Sequence, residues 1–490
     1  MNASPSSAAT SARETPGSMP NIVFLMSDDH GWHETGYNGH PIVQTPVLDE
    51  MASEGLRLDS FYSGAPLCSP TRASVMTGRH PNRCGTFDPG WSIRPEEITI
   101  AQILSRAGYA CGHFGKWHLG PVKADSPTNP RAMGFEEYLS HDNFFDMDPY
   151  LSHNGGAPEQ YEGESSQIVV DAANRFISDA RAAGRPFFVV AWFGSPHEPY
   201  SALDEDLATY GDLPEELQQS TAQITSLETG EQVHVRLDRV LQARYAEITA
   251  MDRAIGDLRQ HLSREQIRDE TLLWYCGDNG APRESRFASP MRGYKGLVYE
   301  GGIRVPAVIE WPGRFRDPKR VSMDSVTSDI LPTLCELTGQ PLPDRPLDGI
   351  SLVPAMEGEA GDRPDPICFW SFGGSVAGDA EPYIDPDLQS GTCPLAKLMD
   401  GKFTRDFENY HHPEIREDDF EGPRAVLDSR YKLVIDGEPG TGQELFDIRA
   451  DASEKRDLST AQPQEVERLG AKLKEWQQSV LESLTGADYA

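Results

Sequence analysis

Short apolar segments alternate along this chain with longer stretches of helical periodicity. The clearest apolar segments are residues 21–27 (NIVFLMS), 186–193 (PFFVVAWF) and 271–276 (TLLWYC). A strand that is apolar at almost every position is buried on both faces of a sheet, and such strands separated by helices are typical of parallel sheets. The pattern therefore predicts an α/β fold, in which a large, mostly parallel mixed sheet is sandwiched between helices.

Apolar residues recur at helical spacing in the segments between these strands. The helices predicted on this basis are residues 46–54, 98–107, 165–183, 235–259 and 464–484, and a further strand is predicted at 110–115.

The composition of the chain changes near residue 355: glycine, proline and acidic residues become frequent, and the periodic apolar pattern ends. A hairpin at 424–435 and a strand at 444–448 follow. We therefore predict a main domain over residues 21–355 and a smaller α+β domain over 356–490, with a small antiparallel sheet and a terminal helix. Residues 1–20 contain no Leu, Ile, Val or Phe and are predicted to form a disordered tail.

The composition limits the possible partners. The net charge of −33, from 44 basic and 77 acidic residues, opposes binding to nucleic acid or to an anionic membrane. The longest apolar run, residues 187–193, is far shorter than the roughly 20 residues that a membrane-spanning helix needs. Without an apolar leader in residues 1–20 we expect a cytoplasmic protein; if the start is misassigned, we expect export to the periplasm or the medium. The oligomeric state stays open.

Each of the three apolar strands is followed at once by polar residues. These are Asp28 and Asp29, then His197 within the sequence SPH, then Asp278 and Asn279. In open α/β sheets, ligands bind beyond the carboxyl ends of the strands, so we expect these residues to share one edge of the sheet. Their carboxylate and amide oxygens suit Ca²⁺, with Mg²⁺ the less favoured ion. Either acidic pair alone could instead be a turn or a helix cap.

Cys68 begins the sequence CSPTRASVMTGR and precedes a predicted helix over residues 70–76. The N-terminus of a helix favours an anion, and Arg72 lies one helical turn after Cys68. Arg79 is expected to be structural. A lone cysteine is most often a small buried hydrophobe, so on this evidence alone Cys68 is one candidate nucleophile.

The remaining candidates are cationic or titratable side chains. In GKWHLG, Lys116 and His118 alternate in a segment predicted to be extended, so both side chains would point to one side. Lys295 lies in RGYK, upstream of EGGIRVP. His197 is the best candidate for a general acid, since histidine titrates near neutral pH. Each of these residues could instead be solvated or part of a capped loop.

The stretches CSPTRASVMTGR, GKWHLG and EGGIRVP together resemble the type I, formylglycine-dependent sulfatases of the alkaline phosphatase superfamily. Their order is similar to that in arylsulfatases and N-acetylgalactosamine-6-sulfatases. The resemblance implies that a formylglycine-generating enzyme oxidises Cys68 to Cα-formylglycine. One hydroxyl of the hydrated aldehyde would attack sulfur and become sulfated, and the other would then expel sulfate. The implied ligands of one divalent cation are Asp28, Asp29, Cys68, Asp278 and Asn279.

The resemblance also implies the roles of the cationic residues. Arg72 would pair with the aldehyde hydrate, while Lys116 would bind a sulfate oxygen. His118 would contact residue 68 and help to eject sulfate. His197 would protonate the leaving alcohol, and Lys295 would bind a sulfate oxygen and share that role.

The leading hypothesis is thus a sulfatase acting on sulfate monoesters of an aryl or carbohydrate alcohol. The alternative is a phosphonate monoester or phosphodiester hydrolase with the same nucleophile and fold. A non-catalytic binding protein would be favoured only if one of the candidate residues were missing. A zinc phosphatase with a serine nucleophile is disfavoured because the metal-binding residues include no histidine. The pocket walls are expected from the loops at 87–91, 141–153 and 373–412.

Overall fold

The computed structural model describes residues 19–226, 229–359, 361–373, 381–395 and 404–489. Most of the predicted tail, residues 1–18, and parts of the predicted loop at 373–412 lie outside these residues. The strands in chain order are Asn21–Ser27 (β1), Leu56–Leu58 (β2), Phe61–Tyr62 (β3), Ala110–Lys116 (β4), Glu137–His141 (β5), Tyr150–His153 (β6), Glu159–Gln160 (β7), Phe187–Trp192 (β8), Thr221–Thr225 (β9), Gln232–Arg236 (β10), Thr271–Gly277 (β11), Ala307–Glu310 (β12), Lys319–Val321 (β13), Ser325–Val326 (β14), Ile367–Trp370 (β15), Arg424–Asp428 (β16), Tyr431–Ile435 (β17) and Gln443–Asp447 (β18).

Helices cover both faces of the main sheet. In chain order they are Pro46–Glu54 (α1), Cys68–Thr77 (α2), Ile100–Arg106 (α3), Ser165–Ala182 (α4), Asp204–Thr209 (α5), Leu237–Arg264 (α6), Glu300–Ile303 (α7), Ile330–Thr338 (α8), Val353–Glu357 (α9) and Pro463–Leu484 (α10).

The main sheet has a parallel centre flanked on both sides by antiparallel pairs, and the outermost pair β13–β2 is again parallel. Among the described residues its spatial order is β13-β2-β12-β11-β1-β8-β4-β5-β6-β7. The central strands β11, β1, β8, β4 and β5 all run parallel. Antiparallel pairs occur at β11–β12 and β5–β6. The predicted mostly parallel mixed sheet is confirmed.

The central strand β1 supplies side chains to two separate cores. Phe24 packs with α2, α3 and α8 on one face of the sheet, whereas Val23 and Leu25 pack with α1, α4 and α6 on the other. Because successive residues of a strand point to opposite faces, both sets must be apolar when helices cover both faces. This explains the uninterrupted apolar pattern of residues 21–27.

Two predicted helices begin later than expected. Helix α3 begins at Ile100 because Thr99 forms a capping box: its hydroxyl accepts from the Gln102 N–H, and the Gln102 side chain accepts from the Thr99 N–H. Helix α6 begins at Leu237 because Val235 belongs to β10, which pairs with β9 in a hairpin. The prediction missed this hairpin because β9 and β10 are short and mostly exposed, so they lack the continuous apolar pattern of the buried strands.

The C-terminal part forms a separate antiparallel sheet in the order β15-β16-β17-β18, as predicted. One face packs on α10 through residues such as Leu433 and Leu469. The other face packs on Tyr62 and Ile303 of the N-terminal part. The division of the chain at residue 355 stays a prediction. Among the described residues, no helix combines the length and apolar character needed to cross a bilayer.

Candidate active site

The carboxyl ends of β1, β8 and β11 meet at one point, as their parallel pairing requires. Asp28 donates its backbone N–H to the Ser195 carbonyl at 3.0 Å, and Asp278 donates to the Ser27 carbonyl at 3.1 Å. The Asp29 N–H donates to Asp278 Oδ1 at 2.9 Å. Asp29 has a φ of 64°, a left-handed conformation that aspartate tolerates. The strand-end residues therefore form one buried cluster.

Cys68 is the first residue of α2 and lies against the aspartates. Its Sγ is 3.2 Å from Asp28 Oδ1 and 3.7 Å from Asp29 Oδ1, so the thiol donates to a carboxylate. Burial, followed by the negative charges of Asp278 and Asp28, raises the pKa of the thiol well above its usual value. An unmodified Cys68 therefore keeps its proton, and the thiol form is not nucleophilic.

Three cations surround this acidic cluster, and each pairs with a different aspartate. Lys116 Nζ lies 2.5 Å from Asp28 Oδ2, and Lys295 Nζ lies 2.7 Å from Asp29 Oδ2. Arg72 Nη2 lies 2.8 Å from Asp278 Oδ2.

Arg72 is held from several sides. It donates to the Lys116 carbonyl at 3.0 Å and lies over the Trp192 ring. Its Nη2 lies 2.8 Å from Asp278 Oδ2 and 3.8 Å from Asp28 Oδ1, so the ion pair with Asp278 is the shorter of the two. Arg72 thus connects α2 with the ends of β4 and β11.

The acidic cluster fits a hard divalent cation. One ligand atom from each of Asp28, Asp29, Cys68 and His197 lies within 4.8 Å of the others. Asn279 donates from Nδ2 to Asp29 Oδ1 at 2.8 Å, while its buried Oδ1 has no hydrogen-bond partner in the described part of the chain. Burial, then the charge of Asp28, raises the pKa of Asp278 to about 7. A cation would relieve this repulsion and take up the unpaired oxygen.

His197 stands beside Lys295 at the open side of the cluster. Its Nδ1 is 2.6 Å from the Glu198 carbonyl, so Nδ1 carries the hydrogen in the neutral ring. Nε2 then accepts from Lys295 Nζ at 3.2 Å. Burial, then the charge of Lys295, lowers the pKa of His197 to about 3. Burial opposes the charge of Lys295, but the neighbouring Asp29 outweighs burial and raises the pKa of Lys295, so the proton shared by the pair resides on Lys295.

His118 does not continue the extended segment that the sequence predicted. Strand β4 ends at Lys116, and His118 adopts a left-handed φ of 54°. This conformation breaks the period-two alternation on which the prediction relied. Both ring nitrogens of His118 are buried and have no hydrogen-bond partner among the residues that the structure describes. They offer one donor and one acceptor to a bound molecule.

Aromatic rings from two of the predicted wall loops flank the histidines. Phe144 stacks on His197 with the ring centroids 4.6 Å apart, and Phe407 meets the edge of His118 at 6.3 Å. Arg405, near Phe407, donates to the Pro89 carbonyl of the third loop. The sequence predicts these loops but not these residues, since ring contacts between distant segments leave no local pattern.

Comparisons with known proteins agree with this arrangement. The sequence profile of the family described as Sulfatase matches residues 20–340. N-acetylgalactosamine-6-sulfatase of Canis lupus familiaris is 32% identical over 389 residues, covering 70% of this chain and 67% of the relative. Arylsulfatase A of Homo sapiens is 32% identical over 378 residues, covering 69% and 68%.

A solved structure shares the fold. The structure described as Ps i-CgsB in complex with k-i-k-neocarrahexaose superposes with a TM-score of 0.73 at 23% identity, covering 94% of this chain and 93% of that one. The chain therefore belongs to the sulfatase family, the type I sulfatases of the alkaline phosphatase superfamily, and is a sulfuric ester hydrolase.

Proposed function

We propose that this sulfatase hydrolyses the sulfate monoester of a carbohydrate, with an aryl sulfate as a convenient substitute in the assay. The observation that carries the proposal is the position of His197, whose ring nitrogen lies within 4.8 Å of Cys68 Sγ and 3.2 Å from Lys295 Nζ. A nucleophile position, a cation and a proton-transfer group thus converge on one point. The names of the relatives, which include an N-acetylgalactosamine-6-sulfatase, support a sugar as the alcohol.

The nucleophile in this proposal is residue 68 after oxidation of Cys68 to Cα-formylglycine, which requires a formylglycine-generating enzyme. The hydrated aldehyde would supply the hydroxyl that attacks sulfur. In the unmodified chain, Sγ occupies the position that this side chain would take. Arg72 fixes the surroundings of that position, because it donates to Asp278 and to the Lys116 carbonyl at the end of β4.

The sulfate group would be held by a local cluster of cations. The whole chain carries a net charge of −33, so the attraction for an anion must come from close contacts. Burial raises the pKa of the Cys68 thiol, and the charges of Lys116 and Lys295 oppose that shift, so both lysines lie close to residue 68. His118 offers a free donor at the same place. These three side chains would contact sulfate oxygens.

The metal in this proposal is Ca²⁺, which Asp28, Asp29, Asp278 and Asn279 would hold with residue 68. Four oxygen donors without sulfur or imidazole suit Ca²⁺ better than zinc, and Mg²⁺ is the less favoured ion. When bound, the cation would polarise a sulfate oxygen and lower the pKa of the attacking hydroxyl.

The leaving alcohol would take its proton from the Lys295–His197 pair. Nδ1 of His197 donates to the Glu198 carbonyl and Nε2 carries no hydrogen in this tautomer. The proton would therefore come from Lys295 Nζ, pass through Nε2 to the leaving oxygen and leave Lys295 neutral. General acid catalysis of this kind contributes about 10²- to 10⁴-fold.

The leaving group provides the test. We expect His197→Gln to slow the hydrolysis of phenyl sulfate or of a sugar sulfate, whose leaving groups need a proton. The hydrolysis of 4-nitrophenyl sulfate, whose leaving group does not need one, should be slowed far less. The exposed His153→Gln is the matched control and should behave like the wild type. An equal loss on both esters would show that His197 does not protonate the leaving group.

The reaction class is tested on protein co-expressed with a formylglycine-generating enzyme, after mass spectrometry of the peptide that contains residue 68. We expect aryl sulfate to be turned over much faster than aryl phosphonate. A preference for the phosphonate would support the alternative hydrolase and leave the nucleophile and metal proposals in place.

A further inference from the structure

The imidazole ring of His197 is held at both of its nitrogens. Nδ1 donates to the Glu198 carbonyl at 2.6 Å, and Nε2 lies 3.2 Å from Lys295 Nζ. The hydrogen and the lone pair of an imidazole are directed within the plane of the ring, so these two contacts restrain the ring in that plane. They leave it free to tilt about the line that joins the two nitrogens, and a further contact is needed to fix the tilt.

Phe144 covers one face of the His197 ring. The two ring centroids are 4.6 Å apart and the ring planes are inclined by 13°. Aromatic pairs have centroid separations of about 4.5–7 Å, so these rings are in close contact. A tilt of the imidazole about its two nitrogens would drive one edge of the ring into Phe144. The stacking therefore supplies the restraint that the two hydrogen bonds lack.

The segment that carries Phe144 lies directly on the turn that carries His197. The neighbouring Phe145 is buried in the core, and its carbonyl lies against Gly194, just after β8. A methyl group at position 194 would lie 2.3 Å from this carbonyl oxygen, so only glycine allows the approach. The Gly194 carbonyl in turn accepts from the His197 N–H at 3.1 Å. The positions of the two rings are thus set by one backbone contact.

Asp142 fixes the same segment from its other side. The residue is fully buried, and its carboxylate accepts from the Val122 N–H at 2.7 Å, from the Thr392 N–H at 2.7 Å and from the Cys393 N–H at 2.5 Å. These three donors belong to two distant parts of the chain. The backbone two residues before Phe144 is therefore tied to both of them, and the Phe144 ring stands on a well-supported loop.

We propose that Phe144 is a positioning residue for His197: its ring holds the imidazole at the tilt from which Nε2 reaches both Lys295 Nζ and the leaving oxygen. This inference rests on the proposed role of His197 in protonating the leaving alcohol. The His197 side chain keeps an exposed fraction of 13%, which leaves it accessible to a substrate. Hydrogen bonds weaken steeply when they are misaligned, so an imidazole that tilts freely would transfer the proton poorly.

The test compares two leaving groups on protein that carries formylglycine at residue 68. Phe144→Leu keeps an apolar side chain but removes the flat face. We expect its kcat to fall about tenfold with phenyl sulfate and by less than about twofold with 4-nitrophenyl sulfate, since general acid catalysis supplies about 10²- to 10⁴-fold where the leaving group needs a proton. Phe144→Tyr, which keeps the flat face, should stay near the wild type. The control Phe420→Leu, at a half-buried phenylalanine packed near α10, should change neither rate.

The double variant Phe144→Leu/His197→Gln decides whether Phe144 acts through His197. If it does, the double variant should hydrolyse phenyl sulfate no more slowly than His197→Gln alone, because residues that act through one another have non-additive effects. A further tenfold loss would mean that Phe144 acts on the substrate itself and would overturn the proposal. An equal loss on both esters in Phe144→Leu, or no rescue by Phe144→Tyr, would overturn it as well.

The failure of this inference differs from the failure of the proposed function. If His197→Gln alone slows both esters equally, the general acid role of His197 is refuted, and the positioning role of Phe144 is refuted with it. If His197→Gln is selective for phenyl sulfate and Phe144→Leu is not, only the inference about Phe144 is refuted. If Phe144→Leu does not fold, Phe144→Met takes its place in both comparisons.

Discussion

Arg244 and Glu34 form a fully buried ion pair directly beneath the candidate active site. Arg244 Nε donates to Glu34 Oε1 at 2.7 Å and Nη2 donates to Oε2 at 2.6 Å. The same guanidinium donates to the Asp29 carbonyl at 2.5 Å and to the Pro196 carbonyl at 2.7 Å. One residue of α6 thus holds both the acidic cluster and the segment that carries His197.

Removing Arg244 should damage stability and turnover together. Arg244→Met leaves the buried Glu34 without its charge partner, although Gly31 N–H and the Ser285 hydroxyl still donate to it. Breaking a buried ion pair in this way costs about 3–5 kcal/mol. Urea unfolding and aryl sulfate kinetics measure both effects. The control is Arg239→Met on the same helix, an exposed side chain that donates to Gln242, and it should cost less than about 1 kcal/mol.

The double variant Glu34→Gln/Arg244→Met distinguishes two effects of Arg244, its ion pair with Glu34 and its hydrogen bonds to the backbone of the active site. It should recover part of the stability, because no buried charge is left unpaired, but kcat should stay low, because the Asp29 and Pro196 carbonyls have lost their donor. Full recovery of kcat in the double variant would contradict the positioning role.

Chelation should destabilise the protein if the acidic cluster holds Ca²⁺. A ligand present at 100 times its Kd stabilises the native state by about 2.7 kcal/mol, so EGTA should lower the Tm and added Ca²⁺ should restore it. Asp278→Ala should lose the response to Ca²⁺ and most of the activity. Asp179→Ala, an exposed acidic residue of α4, should keep both. If neither the chelator nor added Ca²⁺ changes the Tm, the metal proposal is ruled out.

Asp252 should make the protein less stable as the pH rises from about 5 to 8. Its carboxylate accepts from the Val47 and Leu48 N–H groups at the start of α1, at 2.9 and 2.8 Å. Burial nevertheless raises its pKa to about 7. An unfolded aspartate titrates near 3.9, so the native state binds this proton more tightly.

The stabilisation from this proton is complete below about pH 4 and is lost as the pH rises through about 7. Over pH 5 to 8, the wild type should lose about 2 kcal/mol more of its free energy of unfolding than Asp252→Asn does. Urea unfolding at each pH measures the two slopes. Asp179→Asn is the control and should follow the wild type, and parallel profiles for wild type and Asp252→Asn would contradict the assignment.

Salt should stabilise this chain. Its net charge of −33 produces self-repulsion in the compact state, and raising the ionic strength from about 0.1 to 1 M shortens the screening length from about 10 to 3 Å. We expect the Tm to rise with NaCl. Sucrose at equal osmolality is the control for a solvent effect, and an equal rise in sucrose would show that screening is not the cause.

Much of the fold and part of the site follow from local patterns. The apolar run at β1 and the acidic pair Asp28 and Asp29 are adjacent in sequence, and parallel pairing brings any strand ends of this kind to one edge. Strand periodicity failed at His118, because its left-handed φ of 54° is imposed by its surroundings and not by the residue type.

The sequence by itself determined the apolar central strands and the polar residues that follow them, since each depends on neighbouring residues. It also indicated a helix at 70–76, which in the structure begins earlier, at Cys68. The tertiary structure alone decided which distant side chains support them. Arg239 and Arg244 are the same residue type on one helix, yet Arg239 is exposed and Arg244 is buried against Glu34, 210 positions away. Burial is a property of what packs against a residue, and the local sequence does not contain that information.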